Sequence, residues 1–242
     1  MLRILDARTG EPVPAAPARR GLTRIEAHAS GLDPTALRVL LTADLLVRAL
    51  ELGGTPVWTT LTAPRDQPEL RTAAERLAIR PFEDGRDLAS GLGDAQAVHV
   101  AQRDSGGTIG EGPVMDVAQV APAALEALLA DPAAFRLALL AVPRSEPVRL
   151  DRAALDDAAR CLARWRRAVA GWARRPSRPV PDEVRARLRA AWEDDLDVPA
   201  VLGVLRDVES APGIPDGARF ETYAYADRLL ALDLARDLGS LA

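Results

Sequence analysis

Short apolar runs and longer amphipathic stretches alternate in the first part of the chain. The short runs predict strands at residues 2–5, 22–29, 57–61 and 97–100. Between the second and third runs, residues 33–52 predict a helix that begins with Asp33 at the N-cap and Pro34 in the first turn, and that stops at Gly53. A further helix is predicted at residues 68–77. Strand, helix and strand in this order indicate a parallel α/β fold of the Rossmann type.

From about residue 123 onward, the apolar positions follow the period of a helix. Leu155, Leu162, Trp165 and Trp172 lie on one face of a long helix, because they recur at combined steps of three and four residues. Further helices are predicted at residues 184–192, 200–208 and 220–238. We therefore predict an α/β chain with two parts. A trimmed Rossmann-like domain at residues 1–142 precedes an all-α helical bundle at residues 143–242.

The composition of the chain narrows the chemistry that it can perform. Every basic side chain is an arginine, so a bound phosphate would have to be held by arginine or by backbone N–H groups. Cys161 is the only cysteine, which excludes an internal disulfide and a cysteine-cluster metal site. The formal charge of −4 gives no general attraction to nucleic acid, and DNA is not an expected partner. With neither a signal peptide nor a membrane-spanning run, we expect a cytoplasmic protein without a membrane partner.

Five segments resemble cysteinyl-tRNA synthetases in the order in which that family places them. Residues 188–200 contain two acids, a leucine and Asp-Val-Pro between two helices, and they are similar to a helix junction of the family. Residues 2–10, 38–54, 131–140 and 150–155 are similar to four earlier segments of it. The resemblance implies a class I synthetase fold, in which a nucleotide-binding α/β domain precedes a helical bundle.

The two short signatures that hold ATP in this family are absent. The first, His-Ile-Gly-His, falls on residues 33–36, where the Asp33 carboxylate would repel a triphosphate, although a helix N-terminus alone favours anions. The second contains lysines and has no counterpart, but the Gly-rich loop at the matching place could cradle a phosphate. We favour an ordinary surface connection for this loop and expect no catalytic residue. The candidate remnant of a nucleotide site comprises Asp33, Thr35, Arg38, Gly106 and Gly107.

The resemblance also implies a zinc ion held by Cys, His and Glu ligands. His28 lies near the first ligand position, and His99 ends the strand before the Gly-rich loop. Two histidines without cysteines fall short of the three or four ligands of a usual zinc site. We therefore expect ordinary histidines at strand ends, with no metal and no cofactor. Binding of ATP is the one alternative that we keep.

A cluster of arginines occupies the long predicted helix and the segment that follows it. Arg160, Arg164 and Arg167 lie on the face opposite the apolar stripe. Such a cluster can bind an RNA backbone, or it can form a solvated face paired with acids such as those at residues 193–195. We favour the solvated face. The candidate RNA-binding residues are Arg160, Arg164, Arg167, Arg174 and Arg175.

These observations favour a shortened cysteinyl-tRNA synthetase-like paralogue without ordinary aminoacylation. We expect it to act by binding a partner protein or the acceptor region of tRNA. Two alternatives stay open. One is an ATP-dependent ligase with altered, cysteine-like aminoacyl chemistry, as in the cysteine ligases of the mycothiol pathway. The other is a decayed copy with little function. Loss of both phosphate-binding signatures favours the paralogue over the ligase, but it does not separate the paralogue from the decayed copy.

Overall fold

The computed structural model describes residues 1–17, 22–84, 96–103 and 109–240. The strands are β1 (Arg3–Leu5), β2 (Pro12–Pro14), β3 (Thr23–His28), β4 (Val57–Thr62), β5 (Glu83–Asp84), β6 (Gln96–Gln102) and β7 (Val114–Val117). The helices are α1 (Pro34–Leu52), α2 (Gln67–Arg76), α3 (Leu125–Leu128), α4 (Pro132–Leu140), α5 (Arg152–Trp172), α6 (Asp182–Glu193), α7 (Val198–Ser210) and α8 (Asp216–Leu230).

Five strands form one parallel sheet in the order β5-β4-β3-β6-β7, and β1 pairs with β2 in a separate antiparallel ribbon. From β3 the chain passes through α1 to β4 and through α2 to β5. It then continues on the other side of β3 with β6 and β7. The strand order therefore reverses between β3 and β6, which is where parallel α/β sheets usually bind ligands. This sheet agrees with the predicted Rossmann-like α/β fold.

Helix α1 is buried along nearly its whole length and is central to the core. The Asp33 side chain caps it by accepting the Ala36 N–H at 2.8 Å, and Pro34 occupies the first turn. At its other end, Gly53 donates its N–H to the Ala49 carbonyl, and Gly54 turns the chain with a φ of 80°. The predicted start and stop of this helix are confirmed. Its leucine-rich surface contacts the sheet, α2 and α8.

The second half of the chain is helical, from α4 to α8. Its buried apolar side chains belong to the same hydrophobic cluster as those of the sheet and α1. The expected separate bundle, and the boundary at residue 142, stay predictions. No helix within the described ranges combines the length and apolar character needed to cross a membrane.

The junction between α6 and α7 connects the helical half to the sheet. The Arg144 guanidinium donates to both carboxylate oxygens of Asp195, at 2.6 and 2.7 Å, and also to the Asp116 carbonyl at 2.5 Å. Asp197 caps α7 by accepting the Ala200 N–H at 2.9 Å. Asp195 has a φ of 52°, so the turn adopts a left-handed backbone conformation there. The acids of this segment therefore stabilise the junction.

Four details differ from the sequence prediction. The short strands β2, β5 and β7 were not expected, and the last helix, which was predicted at residues 220–238, spans Asp216–Leu230. The Asp227 carboxylate accepts the N–H groups of Leu232, at 2.7 Å, and Leu234, at 2.9 Å. Because these bonds replace the helical ones, the backbone turns at Ala231, which has a φ of 48°.

Candidate functional site

One face of the parallel sheet is polar at its centre. Along β3, Ile25 and Ala27 are buried in the core, whereas Arg24, Glu26 and His28 lie on the opposite face and are only partly buried. Parallel sheets are usually apolar on both faces, because helices cover both. A polar stripe on the central strand, beside the reversal of strand order, therefore identifies a candidate ligand-binding surface.

The strand register brings the two histidines of the chain together with a glutamate. Glu26 lies directly opposite His99 in the β3–β6 pair. The His28 Nε2 and His99 Nδ1 atoms are 3.0 Å apart. Glu26 Oε2 lies 3.3 Å from His99 Nδ1 and 3.8 Å from His28 Nε2. Three atoms that can bind a metal ion or exchange a proton thus converge from two strands.

The second nitrogen of His99 is held by the backbone. His99 Nε2 lies 2.9 Å from the Glu111 carbonyl oxygen, so this nitrogen carries a hydrogen and donates it. The segment before Glu111 packs closely on the ring, since a Cβ at Gly110 would lie 3.4 Å from His99 Cε1. Arg8 donates to the Ile109 carbonyl at 3.1 Å and supports the same segment. These contacts direct Nδ1 of His99 towards Glu26 and His28.

The charges of the cluster follow from its contacts. A hydrogen bond between the His99 ring and the Glu26 carboxylate lowers the pKa of Glu26 from 4.5 to about 2, although burial opposes this. Arg24 Nε lies 2.5 Å from Glu26 Oε1 and also favours the carboxylate. Burial lowers the pKa of His28 below 6.5, and the neighbouring His99 lowers it further. At neutral pH, Glu26 is therefore ionised and His28 is a neutral imidazole.

The sequence prediction treats the two histidines as unrelated and does not single out Glu26. The signal that was available is the alternation along β3, which places Glu26 and His28 on one face. The adjacency of β3 and β6 depends on strand order, which the sequence pattern does not contain.

The remnant nucleotide residues lie elsewhere, at the start of α1. Asp33 is occupied as the helix cap. Thr35 is buried, and its hydroxyl oxygen accepts the Val120 N–H at 3.0 Å. Both side chains therefore make structural contacts within the fold. Gly106 and Gly107 lie outside the described residues.

Arg38, the third remnant residue on α1, is 2 % exposed. Its guanidinium donates to four backbone carbonyls at distances of 2.7 to 3.2 Å, those of Ala118, Val142, Pro143 and Glu146. Burial lowers its pKa to about 10, so it remains a cation at neutral pH. Arg38 thus joins α1 to the loops after β7 and α4.

The candidate RNA-binding arginines of α5 are exposed, as predicted, and have local partners. Arg160 forms an ion pair with Asp157 one turn earlier. Arg164 Nε donates to Glu209 Oε1 of α7 at 3.0 Å. Arg167 Nε donates to a backbone carbonyl one turn earlier in α5 at 3.2 Å. Two of the three cations are therefore paired with a carboxylate.

The acidic partners expected for this cluster are wrong for Glu193 and Asp195. Glu193 lies 2.6 Å from the N-terminal amino group, and Asp195 binds Arg144. Both acids belong to the junction between α6 and α7. Because they form ion pairs there, they are not the partners of the α5 arginines. Arg174 and Arg175 follow α5 and are exposed. Their part in RNA binding stays a prediction.

Comparison with known proteins relates part of the chain to cysteine ligases. No family model matches it. It is 40 % identical over 92 residues to the L-cysteine:1D-myo-inositol 2-amino-2-deoxy-alpha-D-glucopyranoside ligase of Thermobispora bispora, which covers 35 % of this chain and 22 % of that protein. The ligase of the same name from Parafrankia sp. is 43 % identical over 89 residues, covering 37 % of this chain and 19 % of the relative. The chain thus spans about a fifth of the curated relatives that it matches.

Proposed function

We propose that this ligase-related protein acts by binding a partner protein and does not form an adenylate. The proposal rests on the contacts made by the side chains at the start of α1, where a synthetase-like protein would bind triphosphate. Each described polar side chain of the remnant site, namely Asp33, Thr35 and Arg38, is engaged in contacts within the fold.

The charge at the start of α1 disfavours a phosphate. The N-terminus of a helix stabilises a nearby anion by about 0.3–1 kcal/mol, and the Asp33 carboxylate already supplies that anion. A phosphate at the same place would meet a like charge. Because the chain contains no lysine, the positive charge that would offset this repulsion would have to come from arginine.

Arg38 does not meet this need, because its guanidinium is committed to backbone carbonyls. Turning it towards a nucleotide would leave four carbonyl oxygens without their donor. A buried polar group that loses its partner costs about 1–3 kcal/mol. The side chain is therefore a structural cross-link.

A protein partner is favoured over tRNA by the charge distribution. The chain has a net charge of −4, and Arg160 and Arg164 are paired with acids. Arginines bind an RNA backbone by neutralising its phosphates and displacing the counterions of the RNA, and an arginine that is already paired with a carboxylate contributes less to this. The polar face of the sheet, defined by Arg24, Glu26 and His28, offers both donors and acceptors to a protein surface instead.

A ligase with altered chemistry is the second candidate, and the comparisons favour it, since both relatives are named as ligases. Calorimetry with ATP, and cysteine-dependent exchange of pyrophosphate into ATP, separate the two candidates. We expect neither binding nor exchange above the buffer control. Asp33→Asn is the matched variant for both assays, because an asparagine side chain still caps α1 but carries no negative charge. Micromolar binding of ATP by the unmodified chain would favour the ligase.

Affinity purification of the tagged chain, with quantitative mass spectrometry, tests the partner. Thr62→Arg places a large cation at an exposed position opposite His28 on the polar face, and we expect it to abolish capture of the partner. The control is Arg167→Glu with Arg175→Glu, which should retain the partner. A different result would overturn the proposal of a protein partner in favour of tRNA. In that case the unmodified chain shifts tRNA in a gel at low salt, and the control variant does not.

A further inference from the structure

We infer that the cavity between α4 and α5 binds a small amphipathic carboxylate, a molecule with an apolar body and one carboxylate group. The cavity is lined by residues of α4, α5, α7 and the loop that joins α4 to α5. Because it lies in the helical half and away from the polar face of the sheet, the inference goes beyond the proposed function and does not depend on it.

The cavity is large enough for a small organic molecule. Its volume is about 320 Å³. Alanines line it from both helices, namely Ala138, Ala141, Ala154 and Ala158, and their methyl groups do not fill the space where α4 packs on α5. Packed protein interiors contain few voids larger than a water molecule, whereas ligand pockets begin at about 300 Å³. The volume is therefore that of a ligand pocket.

The inner wall of the cavity is apolar. Leu137, Val148 and Leu150 line it and are buried, as is Ala158. A molecule that fills the cavity must therefore present an apolar body to these side chains. A dry apolar cavity of about 150 Å³ takes up benzene, so a volume roughly twice as large accommodates an alkyl chain of medium length.

The mouth of the cavity carries two arginines that lack a carboxylate partner. Arg149 and Arg206 both line the cavity and are exposed. Among the residues that the structure describes, no acid forms an ion pair with either guanidinium. Asp157, the only acid in the lining, pairs with Arg160, and Asp207, next to Arg206, pairs with an arginine of α6. The mouth is therefore positively charged.

This charge selects an anion for the polar end of the ligand. A guanidinium presents a planar set of donors that matches the two oxygens of a carboxylate. The Arg206 charge also reaches into the cavity, because it lowers the pKa of the Cys161 thiol on the inner wall, against the larger effect of burial. A carboxylate at the mouth would therefore meet Arg149 and Arg206 while its apolar body occupies the cavity.

Calorimetry on the full chain with three probes of one alkyl length tests the charge preference. We expect octanoate to bind with one equivalent, octanol to bind about tenfold more weakly, and octylamine, which is a cation at neutral pH, to give no binding. Arg149→Gln and Arg206→Gln should each weaken octanoate about tenfold. Arg167→Gln is the matched control, because Arg167 is an exposed arginine of α5 outside the cavity, and it should bind octanoate like the unmodified chain.

The reactivity of Cys161 supplies a readout that needs no variant. It lines the cavity and is the only cysteine of the chain, so a bound octanoate should slow its alkylation by iodoacetamide, whereas octylamine should not. Ala158→Leu, which fills the cavity from α5, should abolish octanoate binding, and the exposed Ala163→Leu on the same helix should retain it.

Three results would overturn the inference. The first is that octanoate does not bind the unmodified chain. The second is that octanol or octylamine binds as tightly as octanoate, because the arginines would then have no part in recognition. The third is that octanoate binds but leaves the alkylation rate of Cys161 unchanged, because the bound molecule would then lie outside the cavity.

Discussion

Arg136 of α4 reaches Asp44 of α1 inside the core, where Nη2 lies 3.5 Å from Oδ2 and each side chain is 1 % exposed. The same guanidinium donates to the carbonyls of Leu77 and Leu230, both at 2.7 Å. Burial lowers the pKa of Arg136 to about 10, which leaves it charged at neutral pH. One buried cation therefore joins α1 and α4 to the ends of α2 and α8.

Asp44→Ala is expected to lower the free energy of unfolding by about 3–5 kcal/mol, because it leaves the buried Arg136 charge without a carboxylate. Asp44 also accepts from Arg48 Nε at 2.8 Å and Arg80 Nε at 3.0 Å, so the loss reaches three arginines. Urea denaturation measures the change. Glu51→Ala, which removes only the half-exposed partner of Arg80, should cost no more than about 1 kcal/mol. Equal effects of the two variants would contradict the assigned role of Asp44.

Arg38→Met tests whether the remnant arginine serves the fold or a nucleotide. We expect a loss of stability of about 3 kcal/mol or more, since four backbone carbonyls lose a donor and each loss costs about 1–3 kcal/mol. The stability of Arg38→Lys should lie between that of the unmodified chain and that of Arg38→Met. An ammonium group has three donors at one point and does not span four carbonyls. Thermal and urea unfolding measure both. A stable Arg38→Met protein with altered affinity for ATP would instead place Arg38 in a nucleotide site.

The contact between Glu209 and Trp165 predicts an asymmetry between two substitutions. Glu209 accepts from the indole N–H of Trp165 and from Arg164 Nε, both at 3.0 Å. Glu209→Ala leaves the buried indole N–H without an acceptor and should cost about 1–3 kcal/mol. Arg164→Ala removes only the half-exposed ion pair and should cost no more than about 1 kcal/mol.

A double-mutant cycle in urea separates these two contributions of Glu209. A larger cost for Arg164→Ala than for Glu209→Ala would contradict the assignment. This pairing is also the reason why the RNA test above changes Arg167 and Arg175. A glutamate at position 164 would repel Glu209 and disturb α5 whether or not RNA binds.

Local sequence signals were sufficient to predict an element whose start and end are set by residues at its own termini. The N-cap Asp33, Pro34 and the stop at Gly53 predict α1 to within a residue, because these groups satisfy the ends of the helix wherever it packs. The end of α8 was missed, since Asp227 ends it by accepting N–H groups five and seven residues further along, outside the apolar pattern. The strand β7 is only four residues long, so its apolar content gives a weak signal.

The candidate site was less accessible to sequence analysis than the fold. His28 and His99 were noticed as residue types, but their contact depends on β6 pairing with β3 over a separation of 71 residues. Apolar periodicity predicts which face of a strand is buried, and it does not predict which strand is the neighbour. Likewise, Arg38 was placed in a nucleotide site from its spacing, whereas its four carbonyl partners come from two distant loops.

Cys161 offers a test of burial through the pH dependence of its reactivity. Burial raises the pKa of the thiol above its usual 9.0, although Arg164 and Arg206 partly offset this. Because the thiolate is the reactive form, alkylation by iodoacetamide at pH 8 should be slower in the folded chain than in urea. The rate for the folded chain should keep rising at a pH where the rate for the unfolded chain has levelled off.

The same shift in the pKa of Cys161 has a consequence for stability, with a defined sign. Between the unfolded and folded pKa values the folded thiol keeps its proton while the unfolded one loses it, so the free energy of unfolding falls as the pH rises through this window. Cys161→Ser should remove this part of the slope above about pH 9, since a hydroxyl does not titrate there. Urea denaturation of both proteins between pH 7 and pH 10 measures the difference, with pH 7 as the internal reference. A parallel decline of the two proteins over that range would show that the thiol is as accessible in the folded state as in the unfolded one.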